Sequence, residues 1–294
     1  MSDKRLSDYI KPEQELAKPR VVMICFPSDE GVKRNGGRPG ASDAPKLILE
    51  QLMKLTPHPA YHHNHTKLLE TVSFCEPISC SGDVESDQEL LGETVGSLLK
   101  DEIIPVVIGG GHETSFGHFL GYANAHKPVH ILNIDAHADV RPLKNGKAHS
   151  GSPFRQSIGH PSGLCKSYNV FGLNPASISA DHYNYVNEHG KAIFKPDVTS
   201  STVPTFLDQR NNGHVMATMD MDAVNQADAP GVSAPNSAGL SADMWLNCAF
   251  EFGKSRAVRS FDICEVNPRL DRDHQTVKLA AYTLWNFLLG LSFR

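Results

Sequence analysis

ILNIDAHADV, Ile131 to Val140, begins as a buried strand and then sets Asp135, His137 and Asp139 at alternate positions. On an extended segment successive side chains point to opposite faces, so these three would share one face with Cβ atoms a few ångströms apart. Carboxylates that close repel one another unless positive charge sits between them. The stretch therefore reads as a strand whose end is a polar site.

Two further strands end the same way. VVIGGGHE (Val106–Glu113) delivers His112, and ATMDMD (Ala217–Asp222) delivers Asp220 and Asp222. Apolar runs such as RVVMICFP, IIPVVIGG and VRSFDIC alternate along the chain with segments of helical periodicity, among them 46–55, 87–100 and the final twenty residues. This alternation predicts an α/β fold, a mostly parallel sheet with helices on both faces. Ligands of such sheets bind beyond the carboxyl ends of the strands, where all six residues would meet. A polar N-terminal arm over 1–19 precedes a single domain over 20–294. HPAYHHNHT (58–66) reads as a histidine-rich loop, and the stretch between 141 and 167 as irregular.

Net charge is −5 in 294 residues, and Lys and Arg form no basic stripe, which excludes nucleic acid as an expected partner. No apolar run reaches the ~20 residues of a membrane span. The first residues lack the apolar core of a signal peptide, so a cytoplasmic location is expected. Six scattered cysteines without a CxxC read as free thiols.

Four carboxylates and two imidazoles cannot crowd together as bare charges. They are too many for one tetrahedral zinc and include no thiolate. Mixed oxygen and nitrogen donors favour Mn²⁺, and two adjacent ions bridged by carboxylates would use all six. That chemistry is metal-assisted hydrolysis.

GGGHE, NIDAHADV, TMDMDAV and DICEVNP resemble, in order and spacing, the motifs of the arginase/agmatinase/formimidoylglutamase (ureohydrolase) family, over Val21 to nearly the C-terminus. The resemblance implies a three-layer α/β/α arginase-like fold, two Mn²⁺ ions, and hydrolysis of a C–N bond of a guanidine or amidine. It also implies a homo-oligomer, trimer or hexamer. By motif, His112, Asp135, Asp139 and Asp220 would hold one ion and Asp135, His137, Asp220 and Asp222 the other, with Asp135 and Asp220 bridging. Glu265 would bind the cationic group of the substrate.

Arginase- and agmatinase-like members carry an acid before the motif histidine and an Asp-Pro after the paired aspartates; this chain has Gly111 and AVNQADAP. DEGVKRNGGRPGASDAP, GGGHETS, SGSPFRQ and APGVSAPNSAGLS look instead like the formimidoylglutamase branch. The expected reaction is then hydrolysis of N-formimino-L-glutamate, a small amidine of histidine degradation, to L-glutamate and formamide by a hydroxide bridging the two ions. Its two carboxylates call for fixed cations; of Arg34, Arg38, Arg141 and Arg155, the last two are expected to bind them. Asp139 would steer the hydroxide's proton, and His149 is a candidate proton shuttle, because it lies where some guanidine hydrolases carry one. The alternatives are a guanidine hydrolase releasing urea and a metal-binding pseudoenzyme.

Overall fold

The computed structural model describes residues 4–210 and 213–294. Its strands are β1 (Lys11–Pro12), β2 (Val21–Phe26), β3 (Val72–Phe74), β4 (Ile104–Gly109), β5 (Val129–Ile134), β6 (Cys165–Leu173), β7 (Gly190–Phe194), β8 (Val215–Asp220) and β9 (Val258–Cys264). Its α-helices are α1 (Glu30–Asn35), α2 (Ala44–Met53), α3 (His62–Leu69), α4 (Val84–Lys100), α5 (Thr114–Asn124), α6 (Pro153–Ile158), α7 (Ala180–His189), α8 (Thr202–Asp208), α9 (Ala242–Lys254) and α10 (Gln275–Leu291).

The strands form one sheet in the order β1-β3-β2-β4-β9-β8-β5-β6-β7, and every pairing within it is parallel. β2, β4 and β8 are buried at every position, as continuous apolar runs in a doubly covered sheet require. Alternate residues of each strand feed opposite cores. Val21, Met23 and Val106 pack with α2, α9 and α10; Val22, Ile24 and Val107 pack with α4 and α5. The expected three layers are present, and β4-β9-β8-β5 occupies the middle of the sheet.

Several local expectations change. The histidine-rich stretch is not all loop: α3 starts at His62, because Leu68, Leu69 and the His65 ring bury themselves and His65 stands edge-on to Trp285. The glycine-rich segment after β2 contains α1, which ends at Gly36 in the left-handed region, φ 83°. The irregular stretch holds α6, begun by Pro153 at its first position. In the arm, Leu6 and Ile10 are buried and β1 adds an edge strand beside β3; residues 1–3 lie outside the described residues. All six cysteines are free thiols. Among the described residues no helix is long and apolar enough to cross a membrane.

Candidate metal centre

Four neighbouring strands aim their carboxyl ends at one place. His112 follows β4, Glu265 follows β9, Asp220 ends β8 with Asp222 just beyond, and Asp135, His137 and Asp139 follow β5. Two of these ends fold by the same local device. The Asp135 carboxylate accepts from the His137 amide at 2.6 Å, and the Asp220 carboxylate from the Asp222 amide at 2.8 Å. Each aspartate thus turns the chain over its own side chain, as Asx turns do, and brings the next ligand back beside it.

The extended alternation that the sequence invited is not what converges these groups. β5 stops at Ile134, and Asp139 sits at φ 45°, in the left-handed region. Glu265 likewise has φ 67°. Such backbone costs about 1–3 kcal/mol per non-glycine residue and gathers at functional sites.

The six predicted ligands lie together. His112 Nδ1 is 2.9 Å from Asp139, 3.0 Å from Asp220 and 3.4 Å from Asp135. His137 Nδ1 is 3.1 Å from Asp222 and 3.6 Å from Asp135. Their donor atoms form two groups, His112/Asp135/Asp139/Asp220 and Asp135/His137/Asp222, each within 4.8 Å. Asp135 belongs to both groups; Asp220 belongs to the first.

The electrostatics show what this crowding lacks. Burial opposes a charge on His112, yet Asp220 and hydrogen bonds to Asp135 and Asp139 hold its pKa well above the ordinary value. The Asp222 charge does the same for His137, against burial. Burial, then the charges of Asp222 and Asp135, raises Asp220 well above the usual carboxylate range. Burial pushes Asp222 up to about 6 although His137 pulls the other way. Asp135 is the exception: burial opposes its charge, but hydrogen bonds to His112 and His137 hold it low. Protons are thus drawn in to neutralise the cluster, a task that divalent cations perform better. The buried Oδ1 of Asp222 has no hydrogen-bond partner among the described residues, a free donor for a cation. Oxygen and imidazole donors in two groups with a shared carboxylate fit Mn²⁺.

Sequence reasoning missed the layer behind His112. Its Nε2 lies 3.1 Å from the Thr218 hydroxyl, which donates to Asp262 at 2.7 Å. With that proton committed, the Thr218 oxygen accepts from Nε2–H, which leaves Nδ1, facing the carboxylates, as the nitrogen that would bind an ion once its proton is displaced. Asp262 also accepts from Ser115 at 3.1 Å and pairs with His118 at 2.6 Å. The signal was an Asp or Thr inside a run otherwise buried as a strand. Replacing Asp262 by alanine is expected to weaken Mn²⁺ binding about 10- to 100-fold, as loss of such support does, measured by calorimetric titration.

A cavity of about 260 Å³ opens over the cluster, walled by Asn35, Arg38, Arg141, Ser233 and Glu265 with His137, Asp139, Asp220 and Asp222. Glu265 accepts from the His112 amide at 2.8 Å. Burial, then the charges of Asp220 and Glu113, raises its carboxyl well above the usual range. Larger spaces occur elsewhere, one of about 790 Å³ beside α2, but that one holds no comparable donor cluster.

The other predicted residues divide. Arg141 faces the cavity and a neighbouring one of about 680 Å³. Arg38 also faces it, anchored by carbonyls of Val232 and Ser233 at 2.9 Å. Arg155 does not: its Nε is bound to the Val140 carbonyl at 2.6 Å, and its guanidinium covers Tyr185. Arg34 is tied to Glu85. His149 is not brought into the metal cavity either. Its Nδ1 accepts from the Gly151 amide and its Nε2 donates to the Pro142 carbonyl.

The profile of the Arginase family matches residues 19–290. The chain belongs to the arginase family. Among curated relatives of this family member, the formimidoylglutamase of Geobacillus kaustophilus is 36% identical, over 94% of this chain and 86% of its own. That of Citrobacter koseri is 32% identical, over 94% of this chain and 87% of its own. Among solved structures, Trypanosoma cruzi formiminoglutamase with Mn²⁺ superposes with a TM-score of 0.90 at 29% identity, covering 100% of both chains. Arginase from Bacillus subtilis has a TM-score of 0.75 at 23% identity, covering 91% of this chain and 98% of its own, and shares the fold.

Proposed function

We propose that this arginase-family hydrolase cleaves N-formimino-L-glutamate to L-glutamate and formamide, with one catalytic domain over 20–294. The observation that carries the reading is one cavity lined both by four of the six donors, His137, Asp139, Asp220 and Asp222, and by two arginines, Arg38 and Arg141. A dianionic amidine needs both. The similarity to formimidoylglutamases over most of the chain supports the same choice.

His112, Asp135, Asp139 and Asp220 would hold one Mn²⁺, and Asp135, His137 and Asp222 the other, with Asp220 as a second bridge. When bound, the ions supply Lewis acidity and make water acidic enough to act as a nucleophile near neutral pH.

The remaining work falls to side chains. Glu265 pairs with the amidinium nitrogens, as a carboxylate pairs with any planar two-donor cation, and fixes the reacting carbon over the cluster. Arg38 and Arg141 receive the carboxylates. Asp139, which lines the cavity, accepts a proton from the attacking water and returns it to the departing amino nitrogen of glutamate. His149 has no part in this scheme.

Assay of the Mn²⁺-loaded protein against N-formimino-L-glutamate, L-arginine and agmatine tests the reading. Formamide from the first and no urea from the others is the expected outcome. Urea from a guanidine without formamide makes the chain a guanidine hydrolase, and two bound ions with no turnover of any of the three make it a pseudoenzyme.

A further inference from the structure

Glu113 follows His112, yet its carboxyl is completely buried, belongs to neither donor group and reaches the Ser28–Gly31 segment instead. Oε1 accepts from the Gly31 amide at 2.8 Å and faces the Ser28 hydroxyl at 3.4 Å. Oε2 has no partner among the described residues. Gly31 belongs to α1, whose N-cap residue Asp29 makes no side-chain cap, because its carboxylate serves the Gly40 amide instead. An amide in the first turn of a helix has no partner within the helix. Here a carboxyl from the end of β4 satisfies it.

The two segments are joined elsewhere as well. The Gly111 amide donates to the Ser28 carbonyl at 2.9 Å, and the Gly31 carbonyl accepts from Ser150 at 3.1 Å. The Glu113 carbonyl is itself held by the Gln88 side chain at 2.8 Å. The segment anchored in this way runs on through Asn35 to Arg38, one wall of the metal cavity.

The packing admits the carboxyl only between glycines. A Cβ on Gly31 would lie 2.5 Å from Glu113 Cδ, and one on Gly111 would lie 2.2 Å from Oε2. A side chain at 111 and the Glu113 carboxyl compete for the same space. The glycine before the metal histidine and the glutamate after it are therefore a single device.

We propose that Glu113 is a positioning residue: it locks the Asn35–Arg38 wall to the strand that carries His112 and so sets the affinity for the substrate's carboxylates. The substrate side of this inference rests on the proposed hydrolysis of N-formimino-L-glutamate. The Glu113 side chain does not line the cavity, so its loss should act on binding, through the wall it anchors, rather than on chemistry.

The experiment compares Glu113→Ala, Glu113→Gln and the parent, each loaded with Mn²⁺. Glu113→Ala is expected to raise KM for N-formimino-L-glutamate about tenfold, with kcat and Mn²⁺ affinity within threefold of the parent. Glu113→Gln keeps an oxygen acceptor for the Gly31 amide and is expected to restore KM to within twofold. Hydrogen exchange of peptides spanning 28–38 supplies a readout without substrate: faster in Glu113→Ala, unchanged in Glu113→Gln, with β4 and β9 protected in both. An unchanged KM together with unchanged exchange in Glu113→Ala overturns the inference. So does a fall in kcat and Mn²⁺ affinity at constant KM, which would make Glu113 a support of His112 alone, or a glutamine variant that fails like the alanine. If the parent releases no formamide, the proposed reaction fails, and the exchange data still decide the role of Glu113.

Discussion

Asp220→Ala is expected to lower kcat on N-formimino-L-glutamate about a thousandfold while the fold persists. The carboxylate stands 3.0 Å from His112 Nδ1 and closes the Asx turn that positions Asp222. In the proposed centre its removal would take a donor from one ion and the second bridge from the other, and it removes the turn that aims Asp222. Lewis-acid stabilisation is worth several kcal/mol, and each 1.36 kcal/mol is a factor of ten in rate, so a loss of about 4 kcal/mol gives that magnitude. Stability should move the other way. Burial and like charge make this group unfavourable when ionised, so metal-free Asp220→Ala should melt no lower than the metal-free parent near pH 8. Steady-state kinetics with saturating Mn²⁺ and a thermal melt in chelator check the two halves.

The second large effect is the pH dependence of the metal-free protein. Asp222 rises from 3.8 to about 6 through burial, and Glu113 from 4.5 to about 7 for the same reason. A carboxyl whose folded pKa lies above its unfolded value binds more protons when folded, so it favours the fold at low pH and loses that contribution as pH rises through the folded value. Asp220, Glu265, His112 and His137 are shifted upward too and act in the same sense. Asp135, held low, contributes only to a loss in strong acid. Chelator-treated protein should therefore lose stability between pH 5 and pH 8. Mn²⁺ should restore it, most at the upper end, where it no longer competes with protons. Free Mn²⁺ at about a hundred times its dissociation constant adds roughly 2.7 kcal/mol, or about 5–10 °C in Tm for a chain of this size. Melts with chelator or Mn²⁺ at pH 5, 6, 7 and 8 measure it; a gap that is constant across the series contradicts an origin in the buried, proton-binding cluster.

The fold was legible because its strands are buried on both faces, so VVMICF, IPVVIG and VMATMD announce themselves without alternation. The candidate metal donors were legible for a related reason: ionisable residues at the ends of such runs have no solvent to justify them. What stayed hidden depends on contacts far apart in sequence. α3 is decided by Trp285, and α1 by glycines and a glutamate with no periodic pattern. The choice among arginines depends on direction, which sequence does not carry. Arg155 sits beside the right motif but turns onto Tyr185, while Arg38, expected to matter less, faces the cavity. His149 is in the expected stretch, but outside the metal cavity, with its Nδ1 turned to the Gly151 amide.

Anomalous diffraction at the manganese edge, on crystals grown with Mn²⁺, tests the central claim most directly. Two peaks about 3.5–4 Å apart are expected, both touching Asp135, one against His112 and Asp139 and the other against His137 and Asp222. A single peak, or peaks away from the carboxyl ends of β4, β5 and β8, would contradict it.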